Sequence, residues 1–288
     1  MAQNGGEAMP RVRRSFPALL AVTRSYELMF RKGPTFLRVA VGWAILGCVA
    51  ALALRFLAPE QTSDASARMF VVLVGMMAVL ILFTVLSAGV ANSWHRAVLF
   101  ERWNDAPLFE LAGLLRYLGR VAVLTIGVVL FPRALINALV MWSFAVAMAD
   151  PAEFMPYMPL VTVALLFVPL LAAARLSLAL PAAATGERLG FVASWRSMRG
   201  SSWRFLGGAL LVCGPVLIAG RLATNVVTGL FGGWGVAFDL LRTAVVVGSW
   251  FLLVGLAATY LSLAYRFFVQ GRDRLDDATA DQLRQHFS

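Results

Sequence analysis

Apolar residues along this chain gather into six blocks, at roughly 36–58, 69–92, 118–146, 156–180, 205–230 and 240–268. A helix of about 20 apolar residues, rising ~1.5 Å per residue, crosses the ~30 Å hydrocarbon core of a bilayer. Each block meets that length. Short polar turns at 59–68, 147–155 and 231–239 pair the blocks, and longer loops at 93–117 and 181–204 separate the pairs. The pattern predicts an all-α polytopic transmembrane helical bundle, six spans arranged as three hairpins. An N-terminal segment 1–35 precedes the transmembrane domain 36–268, and a tail 269–288 follows it.

The hairpins read as a repeat. Arg116-Tyr117-Leu118-Gly119 opens the third span and Arg204-Phe205-Leu206-Gly207 the fifth, an offset of 88 that also sets Arg133 over Arg221 and Asn137 over Asn225. Residues 171–179 match 256–264 at seven of nine positions, and Leu86-Ser87-Ala88 is a fainter third copy. An amphipathic segment precedes each hairpin. In 15–31, Leu19, Val22, Tyr26, Met29 and Phe30 fall on one helical face, away from Arg24, Glu27 and Arg31. In 107–117, Leu108, Leu111 and Leu115 form a stripe behind Asp105, a candidate N-cap. In 187–199, Phe191, Val192, Trp195 and Met198 oppose Arg188, Arg196 and Arg199. Such helices either lie in the interface with Arg towards anionic lipid or cap the bundle.

Composition sharpens this picture. Of the 288 residues, 60% are hydrophobic and only 14% charged, against about 45–50% and about 25% in soluble domains. The net charge is +10, but the basic residues sit at span ends rather than in a soluble basic domain, so nucleic acid is not expected as a partner. Nineteen lie on the side that holds both termini and the two long loops, while Arg68 and Arg242 alone lie opposite. By the positive-inside rule both termini are cytoplasmic. The predicted location is a bacterial inner membrane, a source suggested by the dominance of Arg over Lys. The first 35 residues lack the short apolar core of a cleavable signal. Cys48 and Cys213 lie in apolar runs without a metal or redox motif, and two histidines, His95 and His286, do not make a metal site. No cofactor is expected.

The candidate chemistry lies in charged residues within spans. Arg133, Arg175 and Arg221 have no obvious acidic neighbour, and a charge at mid-bilayer costs at least ~2.5–3.5 kcal/mol on insertion scales. Arg175, near the cytoplasmic boundary, is expected to snorkel, and it stands with Arg133 and Arg221 as a candidate for binding an anion or anionic lipid. For Arg133 and Arg221, with Asn137 and Asn225 a turn further out, two readings stand. They snorkel, or they form a positive pocket for a lipid phosphate, with Asp239 as the nearest protein counter-charge. Guanidinium suits phosphate through paired hydrogen bonds. Trp94, His95, Arg96, Trp195, Arg196, Arg199, Trp203 and Arg204 read as interfacial residues at the cytoplasmic side. Gly42, Gly47, Gly119, Gly207, Gly208 and Gly220 read as packing positions, and Pro132, Pro169 and Pro215 as kink sites. No nucleophile elbow, phosphate loop, zinc-protease motif or intramembrane carboxylate pair is present, which argues against an enzyme and against proton-coupled transport.

Arg175-Leu176-Ser177 through Pro181-Ala182-Ala183, then Ala193-Ser194-Trp195-Arg196, Arg199-Gly200 and Trp203-Arg204, together with Ser93-Trp94-His95-Arg96, resemble bacterial six-span proteins of the YciC-like and glycerophosphodiester-phosphodiesterase membrane-domain-like groups. The resemblance covers about residues 85–270 and implies a helical bundle of the cytoplasmic membrane, sometimes accessory to a lipid-related enzyme. It carries over no phosphodiesterase activity, because the soluble domain is absent from this sequence. The expected function is non-enzymatic engagement of anionic lipid in envelope or lipid homeostasis. The alternatives are a transporter of a small or lipidic anion, and an accessory subunit docking a protein partner at the cytoplasmic face.

Overall fold

The computed structural model describes residues 16–57, 65–103, 110–130, 138, 141, 158–231 and 236–271. Among them every regular element is helical: α1 (Ala18–Arg31), α2 (Gly33–Leu57), α3 (Ala65–Phe100), α4 (Leu111–Leu124) running into a π-helical turn (Thr125–Leu130), α5 (Met158–Leu176), α6 (Ala179–Thr185), α7 (Phe191–Ser197), α8 (Ser202–Phe231) and α9 (Val236–Phe268). Five stretches are long and apolar enough to cross a membrane: Leu73–Phe100, Leu111–Val128, Phe167–Thr185, Ser202–Phe231 and Leu240–Phe268. A shorter apolar stretch, Gly33–Leu46, lies in α2, where the first of the six expected spans falls. The architecture is that of a multi-pass membrane protein.

The distribution of apolar side chains supports the same conclusion. Leu210, Leu211, Leu217, Ile218, Leu222, Val226 and Leu230 stand exposed along α8, and Leu73, Val79, Leu80 and Ile81 along α3. A continuous apolar surface of this kind is untenable in water and ordinary against lipid tails. The core proper sits towards one end of the bundle, where α9 packs against α8, α3 and α1, and α3 against α2, α4 and α6.

Close approach at this end depends on missing side chains. A Cβ on Gly208 of α8 would collide with the Tyr260 hydroxyl of α9, one on Gly89 with Trp43, and one on Gly255 with Met29 and Phe36. A Cβ on Gly220 would meet Ser249 at 2.9 Å. Gly208 and Gly220 are thus packing positions as expected. Gly42, Gly119 and Gly207 instead face open space, and Gly89 and Gly255 were hidden in the sequence because their partners are distant along the chain. Gly47 lies where side-chain surroundings are not described.

Several expected boundaries move. α3 does not stop at residue 92 but continues to Phe100, so Ser93 through Arg96 belong to a helix and not to a loop. Its 36 residues extend ~54 Å at ~1.5 Å per residue, well beyond the hydrocarbon core. The segment expected as a separate amphipathic helix before the third span is merged with it: Glu110 is the N-cap and α4 runs straight on. Leu111 and Leu115 point outwards while Leu114 and Tyr117 are buried. Leu108 and Asp105 lie outside the described residues.

In α1 the buried face is Ala21, Ser25 and Met29, and Leu19 and Phe30 are 71% and 78% exposed. The apolar face expected from the sequence is therefore split: Met29 is buried, Val22 and Tyr26 are partly buried against the core, and Leu19 and Phe30 stand outside. Phe16 anchors the start of α1 in an aromatic cluster with Phe205, Tyr260, Phe267 and Phe268. The Tyr26 hydroxyl donates to the Val212 carbonyl at 2.8 Å and lies 3.4 Å from that of Leu211. Pro215, four residues after Leu211, lacks the N–H that would bond this carbonyl. α1 thus sets a hydroxyl beside the Leu211 carbonyl that Pro215 leaves without its intrahelical N–H, with its shorter bond to Val212. Burial, with Cys213 nearby, holds the Tyr26 phenol above its ordinary pKa, which keeps it a donor.

The neighbouring pair Gly207 and Gly208 gives a direct test of this packing. Gly208→Ala should lower stability by about 1–3 kcal/mol, the usual cost of overpacking. Gly207→Ala, with open space around it, should be neutral or slightly stabilising. Thermal unfolding of the two variants in detergent, followed by tryptophan fluorescence, measures the contrast; equal melting temperatures would refute the contact.

Candidate functional site

Two groups of polar residues stand at the densely packed end. The first is a seam between α3 and α9. Helical spacing sets Trp94 and His95 of α3 facing Thr259 and Ser262 of α9. Trp94 Nε1 donates to Thr259 Oγ1 at 2.7 Å, and His95 Nδ1 lies 2.7 Å from Ser262 Oγ. Each hydroxyl also donates back to its own helix, Thr259 to the Gly255 carbonyl and Ser262 to the Ala258 carbonyl, both at 2.8 Å. With its proton so committed, Ser262 Oγ accepts from His95 Nδ1–H. His95 Nε2 and the Oδ1 of Asn92, one turn earlier, are buried and make no hydrogen bond among the described residues. Further out, Trp250 Nε1 donates to Ser87 Oγ at 2.9 Å.

Trp94 and His95, read from the sequence as interfacial, turn into the bundle rather than outwards. Both are fully buried, at 0% exposure. The physical reason is the continuation of α3 beyond residue 92, which turns their side chains into the α9 contact.

Around the seam, arginines bond backbone carbonyls and carboxylates, and one of them satisfies a helix end. The last carbonyls of a helix have no intrahelical donor. Arg266 of α9 donates to the Val98 and Leu99 carbonyls at the end of α3 and pairs with Glu101 at 3.0 Å. Arg120 of α4 donates to the Ala179 and Glu187 carbonyls. Arg96 pairs with Glu110, and the Tyr265 hydroxyl with the Glu187 carboxylate. Lys32 lies over the Trp103 ring, 5.2 Å from its centroid.

The second group lies at the junction of α5, α7 and α8. Arg175 Nε donates to Ser202 Oγ at 2.8 Å, and its guanidinium carbon stands 4.7 Å from the Trp195 ring centroid. Ser194 Oγ donates to the Arg175 carbonyl at 2.7 Å, tying α7 to the end of α5. Trp195, Arg196, Arg199, Trp203 and Arg204 are exposed beside it, Trp203 at 63%. From 158 to 231 the sole acid is Glu187, already engaged by Tyr265. Against these helices lies a cavity of about 210 Å³ between α5, α8 and α9, whose accessible lining is entirely apolar. The hydroxyls that border it are turned into the protein, Ser177 to the Ala174 carbonyl and Tyr260 to the Phe205 carbonyl.

Of the residues expected to form an outer phosphate pocket, Arg221 and Asn225 lie on exposed positions of α8 beside Leu222 and Val226. Arg133 and Asn137 lie outside the described residues, as do the surroundings of the Asp239 side chain. The cluster at Arg175 has a sequence signal, three arginines and two tryptophans between 195 and 204, but the cavity behind it does not. No family model, curated protein or solved structure matches the chain.

Removing the Ser262 hydroxyl tests the seam. Ser262→Ala would leave the buried His95 Nδ1–H without an acceptor and should destabilise by about 1–3 kcal/mol. Adding His95→Leu should recover part of that loss. A double-mutant cycle on thermal unfolding reads the coupling, and additive effects would refute it.

Proposed function

We propose that this chain is a six-span protein of the bacterial inner membrane, with cytoplasmic termini and no catalytic chemistry of its own, which binds anionic phospholipid at its cytoplasmic leaflet. The observation that carries this reading is the surplus of guanidinium groups along α5–α8. Arg175, Arg196, Arg199 and Arg204 gather at one end, flanked by exposed Trp195 and Trp203. The nearest carboxylate in sequence, Glu187, is occupied. A positive cluster of this kind at a lipid interface is complementary to phosphate, with Trp at headgroup level.

The three-hairpin repeat belongs to the same reading and has support from the helix ends. Left-handed backbone occurs at Glu101, Gly186 and Gly271, two successive steps of 85 residues, each just beyond α3, α6 and α9; Gly200, in the turn before α8, is the other such position among the described residues. In that register Trp94, Ala179 and Ala264 coincide and are each fully buried, and so do Ser93, Leu178 and Leu263, all nearly so. Leu176-Ser177-Leu178 then falls on Ala91-Asn92-Ser93, five residues beyond Leu86-Ser87-Ala88. Resemblance to the YciC-like and glycerophosphodiester-phosphodiesterase membrane-domain-like groups agrees with a role in lipid handling.

The full chain, reconstituted in nanodiscs of mixed phosphatidylglycerol and phosphatidylcholine and then extracted in mild detergent, should retain phosphatidylglycerol at several times its share of the bilayer. Lipid mass spectrometry measures this. Retention in the proportions of the starting bilayer would overturn the reading.

A further inference from the structure

The apolar cavity and the Arg175 cluster are parts of one arrangement. Ala174 of α5 and Ser177 just beyond its end line the cavity, while Arg175, between them in sequence, turns to Ser202 at the start of α8. One turn further along α8, Phe205 and Leu206 line it in their turn. The cavity then runs inwards along Ala209, Val212 and Cys213, backed by Ala257, Tyr260 and Leu261 of α9. The end bounded by Ser177 and Phe205 is the one nearest Arg175 in the chain, although Arg175 does not itself line the cavity, and the lining residues follow α8 away from that end.

We propose that this cavity is a binding site for one phospholipid, an acyl chain lying in the cavity and an anionic headgroup held by Arg175 with Arg199 and Arg204. The proposal rests on the lipid-binding reading above and names its place.

Three observations carry it. The lining exposes no polar group, so water there would forgo its hydrogen bonds, whereas a hydrocarbon chain loses nothing. The narrow residues Ala173, Ala174, Ala209 and Ala257 leave the space that larger side chains would fill. Near that end, Arg175 is held in place from two sides: Ser202 takes its Nε and Trp195 covers its face. Its terminal nitrogens make no hydrogen bond or ion pair among the described residues and remain for a paired contact with a phosphate. A guanidinium fixed in this way loses little further freedom on binding, which favours a headgroup of matching geometry over a diffuse counter-ion cloud.

The test uses the full chain in nanodiscs containing phosphatidylglycerol with a diazirine on one acyl chain. After irradiation, peptide mass spectrometry should place label on residues 170–177, 205–213 and 257–261. Labelling confined to other outward faces would overturn the proposal. Ala209→Leu and Ala257→Leu, each filling the cavity, should cut that labelling and the retained phosphatidylglycerol at least threefold. Arg175→Gln should weaken retention similarly, and Arg175→Lys should restore only part of it. Each variant is first checked for a single sharp size-exclusion peak. If filling either variant's cavity leaves labelling and retention unchanged, the site is wrong, although the chain as a whole could still prefer phosphatidylglycerol. If the wild type shows no such preference, the broader reading fails as well. Glycerol phosphate, which has the headgroup chemistry without the chain, should not displace the lipid at millimolar concentration; displacement would mean a soluble anion is the ligand.

Discussion

In a hydrocarbon environment a polar group left without a partner has no water to turn to, and apolar association supplies no driving force between helices. The packed end of this protein is organised by that constraint. α9 holds α3 through hydroxyls that are doubly used, Thr259 and Ser262, each bonded to its own backbone and to an aromatic ring nitrogen opposite. It holds α8 through the Tyr260 hydroxyl, which reaches the Phe205 carbonyl because Gly208 presents no side chain to obstruct it. Near Pro215, Tyr26 of α1 donates to the Val212 carbonyl and lies 3.4 Å from the Leu211 carbonyl that the proline leaves free. The packing is tight where these bonds must be short, and the outward faces of α3 and α8 are left to lipid.

Much of this architecture is legible in the sequence because its cause is local. Long apolar runs mark where helices of membrane-crossing length form, and the five described stretches of that kind overlap predicted blocks. What the sequence conceals depends on neighbours far along the chain. Trp94 and His95 sit among polar residues just beyond an apolar run, and composition alone places them at an interface. Their burial follows only from Thr259 and Ser262 standing opposite. The split face of α1 has the same origin: its apolar residues are evenly spaced, but which of them face inwards is decided by α8 and α9. Gly89 and Gly255 are indistinguishable in sequence from Gly42 and Gly207, although only the first pair supports a close contact.

The candidate site divides along the same line. Arg175 and its exposed neighbours are visible as a run of basic and aromatic residues, since charge beside tryptophan is a local pattern. The cavity is formed by alanines on three different helices, and small residues announce packing as readily as empty space. Sequence therefore locates the charge and not the room beside it.

The arginines of the packed end fall into two populations that composition cannot separate. Arg96, Arg120 and Arg266 are spent on carboxylates and on backbone carbonyls inside the protein, Arg266 at the end of α3. Arg196, Arg199 and Arg204 stand outwards, and Arg175 lies between the two groups, braced by Ser202 and Trp195. Membrane topology requires positive charge on one side, and either population satisfies that requirement. A charge needed only for topology has no reason to be braced, however, because a freely moving side chain serves equally well and keeps its conformational entropy. The bracing of Arg175 by Ser202 and Trp195, near an apolar cavity, is therefore the feature that topology leaves unexplained, and the proposed phospholipid would account for both halves of it.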